Sequence, residues 1–337
     1  MKTAIYGAGA MGTVLGAYIT KAGHKVDLIN RNKEHVEALN KDGATIKGTI
    51  QINQKVVAMR PEDMTEEYDI ILLMTKQRHN KEIVTFLKDH LKSNGILCTL
   101  QNGIPEPSIA DIIGPDRTVG GTMSWGATFH GKGVVELTTI PSRETLSFQV
   151  GEYGHVNQIL LHHIVKLLSS MGKVELNNNL IGLRWSKLII NAAFSGLSVV
   201  TGETFGQLAK HFKSRLIALE IMKECIDTAN KANIKIEPIQ GKDIEQLMNY
   251  TNPIKKAFSF FLLPIAMRKH KAIRSSMLRD LKNNRSTEID AINGVVVSYG
   301  EKYNFPTPLN KRIVEVVHQI ENKEFPPSWD NLDRLKK

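Results

Sequence analysis

The fold is decided by residues 1–31, MKTAIYGAGAMGTVLGAYITKAGHKVDLINR. Thr3 to Tyr6 read as a short buried strand, and Gly7, Gly9 and Gly12 follow at G-x-G-x-x-G spacing, with Ala8, Ala10 and Met11 between them. An apolar helix starts at once, and Lys25 to Ile29 read as a second strand. Each glycine has a physical task. The first permits the tight turn, the second lets backbone approach a pyrophosphate, and the third lets helix pack on strand. The helix N-terminus offers N–H groups and partial positive charge to the phosphates. A glycine turn that merely caps a helix is the plainer alternative, but the strand–turn–helix–strand context is the one a dinucleotide site requires.

The end of the second strand bears on which dinucleotide. A site for NAD places Asp or Glu there to bond the ribose hydroxyls. This chain has Asn30 and Arg31, with Asp27 inside the strand. A guanidinium suits a 2′-phosphate that a carboxylate would repel, so NADP(H) is the expected cofactor. The alternative is an exposed loop arginine.

At 337 residues the chain has length for two domains, each with its own core. Hydrophobic content of 42% and charged content of 23% are ordinary for a water-soluble protein. The start MKTAIYG shows no cleavable apolar region, and Cys98 and Cys225 have neither disulfide nor zinc spacing. Buried thiols of a reducing compartment are expected, in a cytoplasmic protein without a metal site. The formal net charge of +10 is scattered rather than gathered with aromatics, which argues against nucleic acid. A positive field would equally attract a phosphorylated cofactor and an acidic substrate.

Further along, Tyr68 to Met74 (YDIILLM) and Gly95 to Leu100 (GILCTL) are continuous apolar runs, as buried parallel strands require. The first ends at Thr75-Lys76 and the second at Gln101-Asn102-Gly103, on the edge where open α/β sheets bind ligands. Lys76 and Asn102 are therefore expected to contact cofactor or substrate, with solvated turn residues as the alternative. Residues 117–150 carry alternation and turn signals of further strands, and the pattern after Gly151 turns helical and stays so. The expected architecture is α/β: a Rossmann-type dinucleotide-binding domain over residues 1–172, then an all-helical domain over 173–337. A hinge is expected near Gly172. Ala257 to Met267 (AFSFFLLPIAM), flanked by lysine and arginine, is too short to span a bilayer. It reads as a core or homodimer-interface helix rather than a membrane-surface one.

Leu183 to Val200 (LRWSKLIINAAFSGLSVV) is nearly all apolar, so most of this helix should be buried. At about 100° per residue, Arg184, Lys187, Asn191, Ser195 and Ser198 fall within roughly 80° of one another. Polar groups on a buried helix cost free energy unless they meet partners or a cleft. A lysine there has its pKa lowered by desolvation and can donate a proton near neutral pH. A structural lysine paired with a carboxylate fits the same pattern. Further on, Ile289, Ile292, Val296 and Tyr299 recur at helical spacing, so a helix begins near Thr287 and Glu288. There the helix dipole keeps a carboxylate ionised. Glu288 is, on that basis alone, a helix-start residue.

Taken together, these stretches resemble the ketopantoate reductase (2-dehydropantoate 2-reductase) family. The likeness runs over nearly the whole chain: GAGAMG, Lys76, LQNG at 100–103, WSKLIIN at 185–191, and SSMLRD…R-x-TEID-x-ING at 275–294. It implies a lysine general acid at Lys187 and an assisting glutamate at Glu288. Asn102, Asn191 and Ser276 are implied to touch substrate or nicotinamide. Two positions depart from the family pattern. Ser195 and Ile273 stand where it usually has asparagine, both on the substrate side, which bears on specificity towards simpler 2-oxo acids. The expected activity is NADPH-dependent reduction of ketopantoate. A dehydrogenase for another branched or aromatic 2-oxo acid and a non-catalytic NADP-binding regulator are the alternatives.

Overall fold

The computed structural model describes residues 1–239 and 241–335. The chain divides into two compact units, Met1–Leu180 and Ile181–Lys337.

The first unit contains, in order, β1 (Thr3–Tyr6), α1 (Ala10–Lys21), β2 (Asp27–Ile29), α2 (Lys33–Asp42), β3 (Ala44–Gly48), β4 (Ile52–Gln54) and β5 (Val57–Met59). It continues with β6 (Tyr68–Leu73), α3 (Asn80–Lys88), β7 (Leu91–Thr99), α4 (Glu106–Ile113) and β8 (Thr118–Met123). Last come β9 (Ala127–Gly131), β10 (Val134–Leu137), β11 (Phe148–Glu152), α5 (Gln158–Ser169) and β12 (Val174–Leu176). Eight strands form one sheet in the order β12-β11-β8-β7-β6-β1-β2-β5. It is parallel from β5 to β8, and β11 then pairs antiparallel to β8. The chain leaves β1 towards β2 and returns to β6 on its other side, so β1 lies at the point where the winding reverses. Ligands of such sheets bind there, beyond the carboxyl ends of the strands.

Both faces of this sheet are covered, which explains its continuous apolar runs. Alternate residues feed two cores. Ile5, Ile70, Leu72, Ile96 and Cys98 join the larger one. Ala4, Tyr6, Ile71, Leu73 and Leu97 join the smaller, with Val84 and Leu87 of α3 and Ile109 of α4.

A second sheet, β4-β3-β10-β9, brings residues 44–48 beside residues 134–137 in parallel register. Helix α1 packs on β1 and β2 from one side and on β3, β4, β9 and β10 from the other. It is therefore buried almost all round, and Val14, Leu15 and Ile19 have no exposed surface. Each such side chain stabilises the fold by about 1.5–3 kcal/mol. Gly16 allows the close approach, because a Cβ there would lie 2.3 Å from Leu28 Cδ2.

The division falls at Leu180, not at residue 172, and the helical pattern after Gly151 is interrupted. Val174–Leu176 forms a strand, β12, that pairs with β11 and so extends the first sheet. Three residues are too few for a periodic signal. Gly172 lies within the first unit, where a Cβ would meet Leu146 O at 2.0 Å.

Among the described residues of the second unit, the regular structure is helical apart from an isolated bridge between Ile239 and Lys242. The helices are α6 (Leu180–Thr201), α7 (Phe205–Lys210), α8 (Phe212–Lys231), α9 (Ile244–Met248), α10 (Pro253–Ala266), α11 (Ser276–Lys282), α12 (Ile289–Lys302) and α13 (Pro308–Glu321). Trp185, Ile189, Phe194 and Leu197 of α6 meet no solvent, making it the core helix of this unit. Among the described residues, no helix is long and apolar enough to cross a membrane.

Candidate functional site

The glycine turn is held as a rigid shape. Gly7 has φ +103°, which side chains rarely adopt, and a Cβ on it would lie 2.6 Å from the nitrogen of Thr75. A Cβ on Gly12 would meet Gly7 O at 2.6 Å, so the third glycine fits helix to turn. Nothing lies within 4 Å of a Cβ on Gly9, the N-cap of α1, and its residue type offers no side chain to the first-turn N–H groups. Those N–H groups and the open face over Gly9 fit a pyrophosphate. The chain from Gly7 through Ala8, Gly9, Ala10 and Met11 to Gly12 thus has the form a dinucleotide needs.

The carbonyl of Ala8 organises this turn. It accepts from Asn30 Nδ2 at 2.7 Å, His35 Nε2 at 3.0 Å and Thr13 Oγ1 at 3.1 Å. His35 Nδ1 in turn accepts from the Gly133 N–H at 2.9 Å, so the proton of the neutral ring sits on Nε2. Burial lowers the pKa of His35, although the Ala8 bond opposes this. The sequence reading missed His35 and Thr13. A signal existed for His35, which lies on the apolar face of α2 with Val36 and Leu39.

Asn30 and Arg31 separate in role. Asn30 is engaged with the turn and also accepts from Asn32 N at 2.8 Å, whereas Arg31 is exposed. Asp27 accepts from Tyr68 OH at 3.0 Å, so its carboxylate is committed within the sheet. Beyond β6 and β7, Gln101 Nε2 donates to Asn80 Oδ1 at 2.7 Å and to Thr75 Oγ1 at 3.3 Å. Thr99 Oγ1 donates to Gln101 Oε1 at 3.0 Å. Gln77 donates to the Asn102 carbonyl. These bonds fix the two strand ends that carry Lys76, which is exposed, and Asn102, which is half-buried.

In the second unit, α6 presents a narrow accessible line. From Gly182 to Thr201 every residue is buried except Lys187, Ile190, Asn191 and Ser195. Three of the five polar residues expected on one stripe therefore form it. The other two do not: Arg184 is 2% exposed, and Ser198 is buried, bonding Glu203 O at 2.6 Å and accepting from Ser275 N at 3.3 Å. Desolvation, with the neighbouring Arg184 guanidinium, lowers the Lys187 ammonium to about 8. The arrangement can deliver a proton near neutral pH beside an amide and a hydroxyl.

A buried relay secures this helix. Glu224 accepts from Leu309 N, Asn310 N and Asn310 Nδ2 at 2.8–2.9 Å. Asn310 Oδ1 accepts from Asn293 Nδ2 at 2.9 Å, and Asn293 Nδ2 also donates to the carbonyl of Ala192, next to Asn191. Polar residues scattered over three helices give no local pattern, and the sequence reading did not find them. Glu288 is the half-buried N-cap residue of α12, and Ser276 is the exposed first residue of α11, whose N-cap is Ser275. Ile273 is 45% exposed. Among the described residues, no group of three or more His, Cys, Asp and Glu side chains could hold a metal.

Residues 3–149 match the family described as "Ketopantoate reductase PanE/ApbA", and residues 179–321 match its C-terminal counterpart. The chain belongs to the ketopantoate reductase family. Its members are oxidoreductases with a dinucleotide-binding fold. The 2-dehydropantoate 2-reductase of Pyrococcus horikoshii is 29% identical, the match covering 92% of this chain and 94% of that protein. The enzyme of that name from Streptococcus pyogenes serotype M3 is 26% identical, with coverage of 94% and 97%. Two solved structures share the fold. A ketopantoate reductase from Ralstonia eutropha superposes with TM-score 0.79 at 23% identity, covering 96% of this chain and 99% of its own. A D-mandelate dehydrogenase bound to NADH and anilino(oxo)acetate superposes with TM-score 0.81 at 24% identity and the same coverage.

Proposed function

We propose that this family member reduces a branched 2-oxo acid, ketopantoate, to the 2-hydroxy acid with NADPH. The observation that carries this reading is the accessible line of Lys187, Asn191 and Ser195 on an otherwise buried helix. NADPH, when bound, supplies hydride to the ketone carbon. Gly7 to Gly12 hold its pyrophosphate by backbone N–H groups, and Arg31 holds the 2′-phosphate. Lys76 and Asn102 position its nicotinamide end. Lys187 stabilises charge growing on the ketone oxygen and then gives that oxygen its proton. Asn191 and Ser195 bond the substrate's polar groups, Ser276 its carboxylate or hydroxyl, and Glu288 keeps the lysine oriented.

Ser195 favours a second reading. A hydroxyl reaches less far than the amide usual at this position, so the site is open to simpler or aromatic 2-oxo acids. One protein that shares the fold is a D-mandelate dehydrogenase, solved with NADH and anilino(oxo)acetate. Following NADPH absorbance with ketopantoate, ketoisovalerate and phenylpyruvate in parallel tests both. Highest kcat/KM on ketopantoate supports the first reading, and preference for phenylpyruvate replaces it with the second. No turnover on any of the three would point to a binding protein without catalysis.

A further inference from the structure

Glu288 stands at the N-cap position of α12, yet its side chain does not cap that helix. What holds the backbone there comes from the residues around it. Glu321, the last residue of α13, accepts from the Thr287 N–H at 2.6 Å with Oε1. The Thr287 hydroxyl accepts from the Ile289 N–H at 3.2 Å. Both amides that flank Glu288 in the chain are thus committed, and neither bond uses the Glu288 carboxylate.

The Glu321 carboxylate is itself aimed by His318, three residues earlier on α13. With both ring nitrogens protonated, Nδ1 donates to Glu321 Oε2 at 2.8 Å and Nε2 to Asp290 Oδ1, in the first turn of α12, at 3.0 Å. Burial works against a charged ring, but the bonds to Glu321 and Asp290 outweigh it and raise His318 above its ordinary 6.5. Burial likewise opposes the charge on Glu321, and the bonds from Thr287 and His318 overcome it and lower that carboxyl. On its other side α12 is fixed against α6, the helix of Lys187. Asn293 donates to the Ala192 carbonyl at 3.1 Å, and a Cβ on Gly196 would lie 3.6 Å from Ile289 Cδ1.

We infer that Glu321 is a positioning residue: the reach of its carboxylate to the Thr287 N–H sets where Glu288 stands in the reaction. This rests on the role proposed above for Glu288. A group misplaced by about 1 Å can lose on the order of 100-fold in rate. Reach and charge can be parted here. Glu321→Gln keeps the length and an oxygen for Thr287, while a neutral His318 with its proton on Nε2 still donates to Asp290 and accepts from the new amide. Glu321→Asp keeps the charge but draws the oxygen back from Thr287.

The test is kcat of both variants on whichever of the three 2-oxo acids the wild type turns over best, with NADPH affinity measured alongside. Glu321→Gln is expected within about twofold of wild type and Glu321→Asp about tenfold slower, at unchanged Kd for NADPH. In a Glu288→Gln background the aspartate change is expected to cost nothing further, because it acts only through Glu288. An aspartate variant as fast as wild type overturns the inference, as does a glutamine variant slower than the aspartate one. Additive losses in the double variant overturn it too, while leaving Glu288 its role. A Glu288→Gln chain with undiminished turnover removes that role, and the positioning inference falls with it.

Discussion

The His35 ring spans the 3.0 Å to the carbonyl of Ala8 with one nitrogen and receives the Gly133 N–H at 2.9 Å on the other. One neutral imidazole thereby ties the nucleotide turn to the small sheet. Protonation would place a hydrogen on Nδ1, against the Gly133 N–H, and break the tie that holds the turn in shape. The folded pKa is lowered, so the unfolded chain binds the proton more readily. Stability linked to this group is thus complete above about pH 6.5 and is lost as pH falls below it.

His35→Ala is expected to weaken NADPH binding about tenfold and to lower stability by about 2 kcal/mol, by loss of two buried hydrogen bonds. Cofactor titration by fluorescence at pH 5.5 and 7.5 checks it. Wild-type affinity should drop on the acid side and the variant should show a smaller drop. Equal pH dependence in both would remove His35 from the account.

Arg31 is exposed and Asn30 is committed to the turn, so on the proposed NADPH reading selection of the 2′-phosphate falls to Arg31. Arg31→Ala is expected to raise the Kd for NADPH by about 10–100-fold while leaving that for NADH within a factor of about two. Calorimetric titration of both cofactors separates the cases. Equal weakening would show the side chain acting on something common to both.

With its ammonium lowered to about 8, Lys187 is mostly protonated at neutral pH and loses that proton just above it. For the reductive direction, kcat/KM is expected to be level below pH 7 and to fall about tenfold per unit well above pH 8. Lys187→Ala is expected to reduce kcat on the order of a thousandfold with NADPH affinity kept. A level alkaline limb in the wild type would exclude this lysine as the proton donor.

The same lysine is expected to cost stability. Its pKa is below the ordinary 10.5, so the unfolded chain holds the proton more firmly and stability rises with pH between about 8 and 10.5. Lys187→Met keeps the length of the side chain without the charge. It should raise the denaturant midpoint at pH 7 by the equivalent of about 1–3 kcal/mol while abolishing turnover. A midpoint that falls would mean that the ammonium is better paired than its lowered pKa implies.

What could be read from residue order alone was whatever repeats over a few residues. The glycine spacing, the apolar runs at 68–74 and 95–100, and the polar stripe on α6 are local patterns; the structure contains the first two, and of the stripe it leaves Lys187, Asn191 and Ser195 accessible. The pairing of residues 44–48 with residues 134–137 is not local, because hydrophobic period says which face is buried but not which partner covers it. Asn30 illustrates the same limit at a single position. It stands where a ribose contact is expected, yet its amide is 2.7 Å from a carbonyl that only the folded turn brings there. Arg184 and Ser198 share a helical face with Lys187, but neighbouring segments of the second unit, not angular position, decide which of these side chains meet solvent. The apolar stretch at 257–267 suggested an interior or interface helix, and burial on one side with exposure on the other could not be weighed without the packing of α8.

The donor that sets His35 lies 98 residues downstream of it, in the hairpin between β9 and β10. Every glycine of the nucleotide turn is made within the first dozen residues, yet the turn lacks this anchor until that hairpin has left the ribosome and docked. Non-local closure of this kind is slow relative to helix formation. The nascent chain therefore carries an intact fingerprint well before it carries a finished cradle, and truncation ahead of residue 133 would leave the motif legible but unsupported.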